Sequence, residues 1–199
     1  MALVDKDKAE TIKDLLKDKY ERIVVKKLPK GFKNDEIAET KRSFLETDGP
    51  FDGFGTIYGK GCQNAQRNYQ YVFVSIIDDG TVVVVGKTSF WDTVRVNGSI
   101  DSSEKYNLGD LYRPYSTKHS NPTAKAIIAH YQDELISDVN KKITYAVIIP
   151  INNCKFDTEE YKGKALTNAD KYTHGEEQNI GRILIEHKVD ILNKNSHEK

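Results

Sequence analysis

The stretch most able to touch a phosphate is RIVVKKLPKGFK, residues 22 to 33, which gathers Arg22, Lys26, Lys27, Lys30 and Lys33 with no acid among them. Cations at that density are usually a solvated face; the alternative is an edge that neutralises the phosphates of a nucleic acid. A second grouping is His174-Gly175-Glu176. A histidine and a glutamate at that spacing suit zinc-water chemistry, but such a site also takes a cysteine pair downstream, and Cys154 precedes it. A third is Cys62 in GKGCQNA, a thiol that could act as nucleophile with His119 or His174 as base. A buried structural cysteine is the commoner reading.

The composition bounds what these groups belong to. The chain has 199 residues, 38% of them hydrophobic and 30% charged, which matches one soluble globular domain with a real core. Thirty basic residues balance thirty acidic ones, so a uniformly basic nucleic-acid coat is excluded while a local basic groove is not. Two cysteines far apart support neither a disulfide framework nor a cysteine-type zinc site. No apolar run reaches the length of a membrane span and no leader opens the chain, so the expected setting is the cytoplasm.

The elements that must position any site centre on Tyr69 to Val96. Tyr71, Phe73, Val74, Ile76 and Ile77 form a β-rich run, Asp78-Asp79-Gly80 is a turn signal, and Val82 to Val85 return as a second strand. Gly86-Lys87-Thr88-Ser89 is expected to break that strand before a segment carrying Arg95. Upstream, residues 5 to 20 predict an amphipathic helix with Ile12, Leu15, Leu16 and Tyr20 on one face, and residues 35 to 46 a second helix capped by Asn34. Thr56-Ile57-Tyr58 can form a short strand in a glycine-rich loop.

Downstream, Asn121-Pro122 opens a helix expected to run to about Val139, and ITYAVIIPI, residues 143 to 151, is a third strand. Thr173 to Glu176 predict a capping box, starting a last helix with Ile180, Ile183, Leu184 and His187 inward. Gly181 inside that helix costs about 1 kcal/mol relative to alanine. The tail from Asn193 onward is expected to fray.

Strand, turn, strand, a Gly-Lys-Thr break and an arginine nine residues after the glycine together resemble the GIY-YIG nuclease superfamily, most closely its short type II restriction endonucleases. Gln70-Tyr71-Val72-Phe73 resembles the family's first motif and Val84-Val85-Gly86 its second. The resemblance covers about residues 66 to 190. It implies an α+β fold, a three-stranded antiparallel sheet flanked by helices in the order β-β-α-α-β-α. Residues 1–65 would be an N-terminal helical extension and loop, and residues 66–199 the nuclease core, with an insertion at about 97–120.

The same resemblance implies a Mg²⁺-dependent DNA endonuclease acting on double-stranded DNA, with Mn²⁺ able to substitute, and a homodimer on a palindromic site. Tyr71 would correspond to the first-strand tyrosine that orients or deprotonates water, Gly86 to the motif glycine, Arg95 to the arginine of the following helix, and Glu177 to the metal-binding carboxylate. Glu177 is chosen over Glu176 because Glu176 has the capping role and Glu177 sits beside the buried face of Ile180 and Leu184. Lys87 would supply a cation near the scissile phosphate, and Lys26, Lys27, Lys30 and Lys33 would contact phosphates. The chain departs from the pattern at Val84, where the family has a second tyrosine or a lysine, and at Asn193, which lies further beyond Glu177 than the family asparagine. The alternative is a non-catalytic nucleic-acid- or protein-binding module on the same fold.

Overall fold

The sequence concentrates β-branched and aromatic residues between 69 and 85, and this is where the structure has its centre. A computed structural model describes residues 5–28, 56–58, 64–95, 100–101, 126–127, 129–131, 142–151, 164–194 and 197. Helix α1 is Asp5–Leu16, followed by strands β1 (Val24–Lys27), β2 (Thr56–Tyr58), β3 (Asn64–Ile77), β4 (Val82–Arg95), β5 (Ile100–Asp101) and β6 (Ile143–Pro150), and then helix α2 (Lys164–Glu186). The class is α+β, as expected. Among the described residues the sheet has six strands, not three, in the order β1-β6-β3-β4-β5, with β2 beside the start of β3. All strand pairings are antiparallel.

The turn between β3 and β4 follows its residues. Gly80 takes a positive φ of 83°, and the Asp79 carboxylate accepts the Thr81 amide at 2.8 Å, closing the hairpin. The register slips by one residue between Ser75 and Ile76, because Ser75 faces Val84 whereas Ile76 faces Val82.

The strand alternation then sorts the core. Val72, Val74 and Ile76 of β3, Val82 and Val85 of β4, and Val147 and Ile149 of β6 share one face of the sheet. Helices α1 and α2 pack on that face, through Ala9, Ile12 and Leu16 of α1 and Ile180 and Leu184 of α2. Thr144 Oγ1 donates to Asp5 Oδ2 at 2.6 Å, tying the start of α1 to β6. Tyr71, Phe73 and Ile148 lie on the opposite face and are also buried.

Several expectations are corrected. The basic run contains β1: Val24 and Val25 are β-branched, Val25 pairs with Val147, and the edge of β6 takes the segment in. Residues read as an extension therefore supply α1 and β1 to the same sheet and core. Helix α1 stops at Leu16, whose carbonyl accepts the amides of both Lys19 and Tyr20 at 3.0 Å. Strand β4 runs through Gly86 to Arg95, so the Gly-Lys-Thr segment is no break. Helix α2 starts at Lys164, which places Thr173 inside it, fully buried, and leaves no capping box at Thr173 to Glu176. Glu176 instead accepts a hydrogen bond from the Tyr20 hydroxyl at 2.7 Å. Burial first, and that bond second, push the Tyr20 hydroxyl above its ordinary range. His187 is exposed, its Nδ1 at 2.8 Å from the Ile183 carbonyl oxygen, and does not face inward. The tail does not fray at Asn193 and His197, which are both buried. The helix expected at 35 to 46, the insertion at 97–120 and most of the helix from 121 lie outside the described residues. No helix among the described residues is long and apolar enough to cross a membrane.

Candidate active site on the helical face

Asp170, His174, Glu177 and Gly181 recur at four-, three- and four-residue steps on α2, which puts them on one stripe of the helix. That stripe lies over β4. Lys87 pairs across to Val72, so by alternation it stands on the helix-bearing face, just where the apolar floor of Val72, Val74 and Val85 ends. Its ammonium forms an ion pair with Asp170. The polar floor continues one pair further along β3, where Gln70 Nε2 donates to Asn68 Oδ1 at 2.8 Å and both side chains are buried.

His174 and Glu177 form the second half of the cluster. Their Nδ1 and Oε2 atoms are 2.9 Å apart, with the carboxylate side chain only 14% exposed and the imidazole 57% exposed. Burial pushes the Glu177 carboxyl above the usual carboxylate range. The bond from His174, its charge and the Lys87 ammonium oppose that push, and Asp170 reinforces it. A carboxylate that burial disfavours, beside a lysine and a histidine that face solvent, can hold a cation, orient a proton acceptor, or bind an anion through Lys87.

The floor under Lys87 is fixed from two sides. Gly86 lies under the Phe73 ring, and a methyl group at Gly86 would sit 2.8 Å from a Phe73 ring carbon. Asn193 flanks the other side: its Oδ1 accepts the Val85 amide at 3.0 Å and its Nδ2 donates to the Val85 carbonyl at 2.8 Å. Gly86 and Asn193 thus both fix the strand next to Lys87.

The expected site residues are not all brought together. Lys87 and Glu177 share the cluster. Tyr71 does not: it is fully buried on the opposite face, its ring centroid 6.4 Å from that of Phe73. Arg95 is on no helix; it ends β4, in register with Asn64 and eight residues from Lys87. At about 3.3 Å per residue that is roughly 26 Å along the strand. Lys26 and Lys27 lie on β1, opposite Ala146 and Tyr145, with Lys27 exposed; Lys30 and Lys33 lie outside the described residues.

Asp170, His197 and the pairing of His174 with Glu177 were missed in the sequence. The stripe from Asp170 to Gly181 is legible only if the helix begins before Asp170, and a helix that starts from a Thr173 cap leaves Asp170 outside it.

The donor set for Mg²⁺ is a single carboxylate. Among the described residues no three His, Cys, Asp or Glu side chains group to hold a metal ion. A Mg²⁺ ion that keeps most of its water needs no more than one or two protein carboxylates, and a cation would favour the ionised Glu177 that burial disfavours. Glu177 therefore fits such an ion.

Comparison with protein-family models, with curated proteins and with solved structures finds no match to this chain.

Proposed function

We propose that the protein is a Mg²⁺-dependent endonuclease that hydrolyses phosphodiester bonds in DNA, with its chemistry at Glu177, Lys87 and His174. The observation that carries this reading is the convergence of a carboxyl held above its ordinary range, a lysine and a histidine over the Gly86-Lys87 stretch of β4. Glu177 would hold the ion, which when bound supplies positive charge at the phosphate and acidifies water. Lys87, released from Asp170 by an incoming phosphate, neutralises charge that builds on the phosphoryl oxygens. His174 is oriented by Glu177 through Nδ1, which leaves Nε2 to take a proton from water or give one to the leaving oxygen. The resemblance to short restriction enzymes adds site specificity, a homodimer on a palindrome, and phosphate contacts from Lys26, Lys27, Lys30 and Lys33.

A second reading is a non-catalytic nucleic-acid- or protein-binding module. The separation of Tyr71 and Arg95 from Glu177, together with Val84 in place of the second motif tyrosine, favours it. Plasmid cleavage in Mg²⁺ or Mn²⁺ distinguishes the two. Discrete fragments from the wild type and none from Glu177→Ala or Lys87→Ala support the nuclease. Salt-dependent DNA retention without cleavage, by a folded wild type on varied unmethylated DNAs, supports the binding module.

A further inference from the structure

The C-terminal segment crosses the seam between β4 and α2. Ile191 makes a parallel bridge to Val82, and the Leu192 amide donates to the Val82 carbonyl at 3.2 Å. Asn193 follows, holding Val85 from both sides. The chain then turns through Lys194, whose carbonyl accepts the His197 amide at 2.8 Å, and lays the His197 ring on Gly181. The fit is close: a methyl group at Gly181 would stand 2.3 Å from the ring Cγ. This explains a glycine inside a helix, where it costs about 1 kcal/mol against alanine.

His197 is 2% exposed, and neither ring nitrogen has a hydrogen-bond partner of ordinary geometry. A neutral imidazole can be buried this way; a charged one without a partner cannot be held at comparable cost. The groups that face it are few. From α2, His174 disfavours a positive charge on the ring, and Glu177, one turn before Gly181, is bonded to His174. From β4, the Val85 backbone acts in the opposite sense and Lys87, two residues on, is paired with Asp170. In its own segment Lys194 is exposed. Among the described residues no carboxylate is bonded to the ring.

We propose that Ile191 to Lys194 together with His197 form a latch that sets the spacing between Lys87 and Glu177, and that protonation of His197 opens it. One end is fixed to β4 two residues before Lys87, and the other to α2 one turn after Glu177. A proton on the ring must be taken to water, which lifts the ring off Gly181 and frees α2 at the level of Glu177. His197 is thus a positioning residue that touches no substrate. Burial, with His174 adding to it, holds its pKa below the ordinary histidine value, so opening falls below about pH 6.5. The latch stands on these hydrogen bonds and on the seat of His197 on Gly181, and does not depend on the nuclease reading.

The test is amide hydrogen exchange of the full chain from pH 7.5 to pH 5, with each rate normalised to the intrinsic rate at that pH. The Val85 amide, bonded to Asn193, reports the latch; the Val74 amide reports the core. The expected result is a tenfold or greater loss of protection at Val85, none at Val74, and no loss at Val85 in His197→Phe. Protection at Val85 that stays flat in the wild type, or falls equally in His197→Phe, overturns the proposal. Should the phenylalanine variant fail to fold, the His197 Cε1 proton is titrated in the wild type. A titration that does not coincide with the loss at Val85 overturns it too. Gly181→Ala, which denies the ring its seat, is expected to show the open pattern already at pH 7.5.

Discussion

Asn193 satisfies both backbone groups of Val85, donating to its carbonyl and accepting from its amide across 108 residues of sequence. A side-chain amide here takes the place of a neighbouring strand at one residue of β4. Asn193→Ala leaves both groups buried without that partner, at a cost of about 1–3 kcal/mol for each unmade bond. We expect a loss of about 2–4 kcal/mol, and no smaller a loss in Asn193→Asp, which keeps the acceptor but turns a buried carboxylate oxygen on the Val85 carbonyl. Urea unfolding at constant m measures both, and a loss below about 0.5 kcal/mol for the alanine variant would refute the role.

Gly86 and Phe73 are coupled in the same way, by space rather than by hydrogen bonds. Gly86→Ala presses a methyl group into the Phe73 ring and is expected to cost about 1–3 kcal/mol. Combined with Phe73→Leu, part of that loss should return, giving a double-mutant coupling above about 0.5 kcal/mol. Additive losses would show that the two do not meet.

Glu177 gives a pH dependence whose sign can be worked out. Its carboxyl is raised by burial in the folded state, so on raising the pH through the ordinary carboxylate range the unfolded chain loses its proton first, and stability falls. In the presence of a chelator, Glu177→Gln should therefore melt higher than the wild type at pH 8, with the advantage gone by pH 4. Adding Mg²⁺ should raise the melting temperature of the wild type and leave that of Glu177→Gln unchanged, since only a ligand-competent folded state gains from the ion. Equal responses of the two proteins to Mg²⁺ would move the ion elsewhere.

Tyr71 tests where the chemistry is. Tyr71→Phe should retain plasmid cleavage within about threefold, because its ring is on the face turned away from Glu177 and costs the site no direct contact. Glu177→Gln and Lys87→Ala should each lower cleavage by a hundredfold or more, the scale of a lost electrostatic contact in the transition state. Abolition by Tyr71→Phe in a protein of unchanged stability would put the active site on the other face.

The sequence made the hairpin, its Asp-Asp-Gly turn, β6 and the first helix legible, because each is written in local periodicity and turn chemistry. It hid what depends on distant partners. Val24 and Val25 looked like part of a cationic surface until β6 supplied an edge to pair with. Gly86 looked like a break until the Phe73 ring occupied the place of its missing side chain. Thr173 looked like a cap because Thr-His-Gly-Glu has the right pattern, but a helix already running from Lys164 makes that pattern irrelevant. The polar tail looked unfolded because Asn193 and His197 are buried only against β4 and α2. Of the cluster, Lys87 and Glu177 were found by resemblance. Asp170 and the His174–Glu177 pair needed the helix start to be right.

The hydrogen bond from Tyr20 to Glu176 spans 156 residues, and the apolar stripe of α1 joins a core that is complete only once β6 and α2 are in place. At about 5–20 residues per second, a ribosome needs roughly 8–30 s to get from one to the other. For that interval Ile12 and Leu16 lack part of the core that covers them. Slower elongation prolongs the exposure, and chaperones that bind amphipathic segments shorten it.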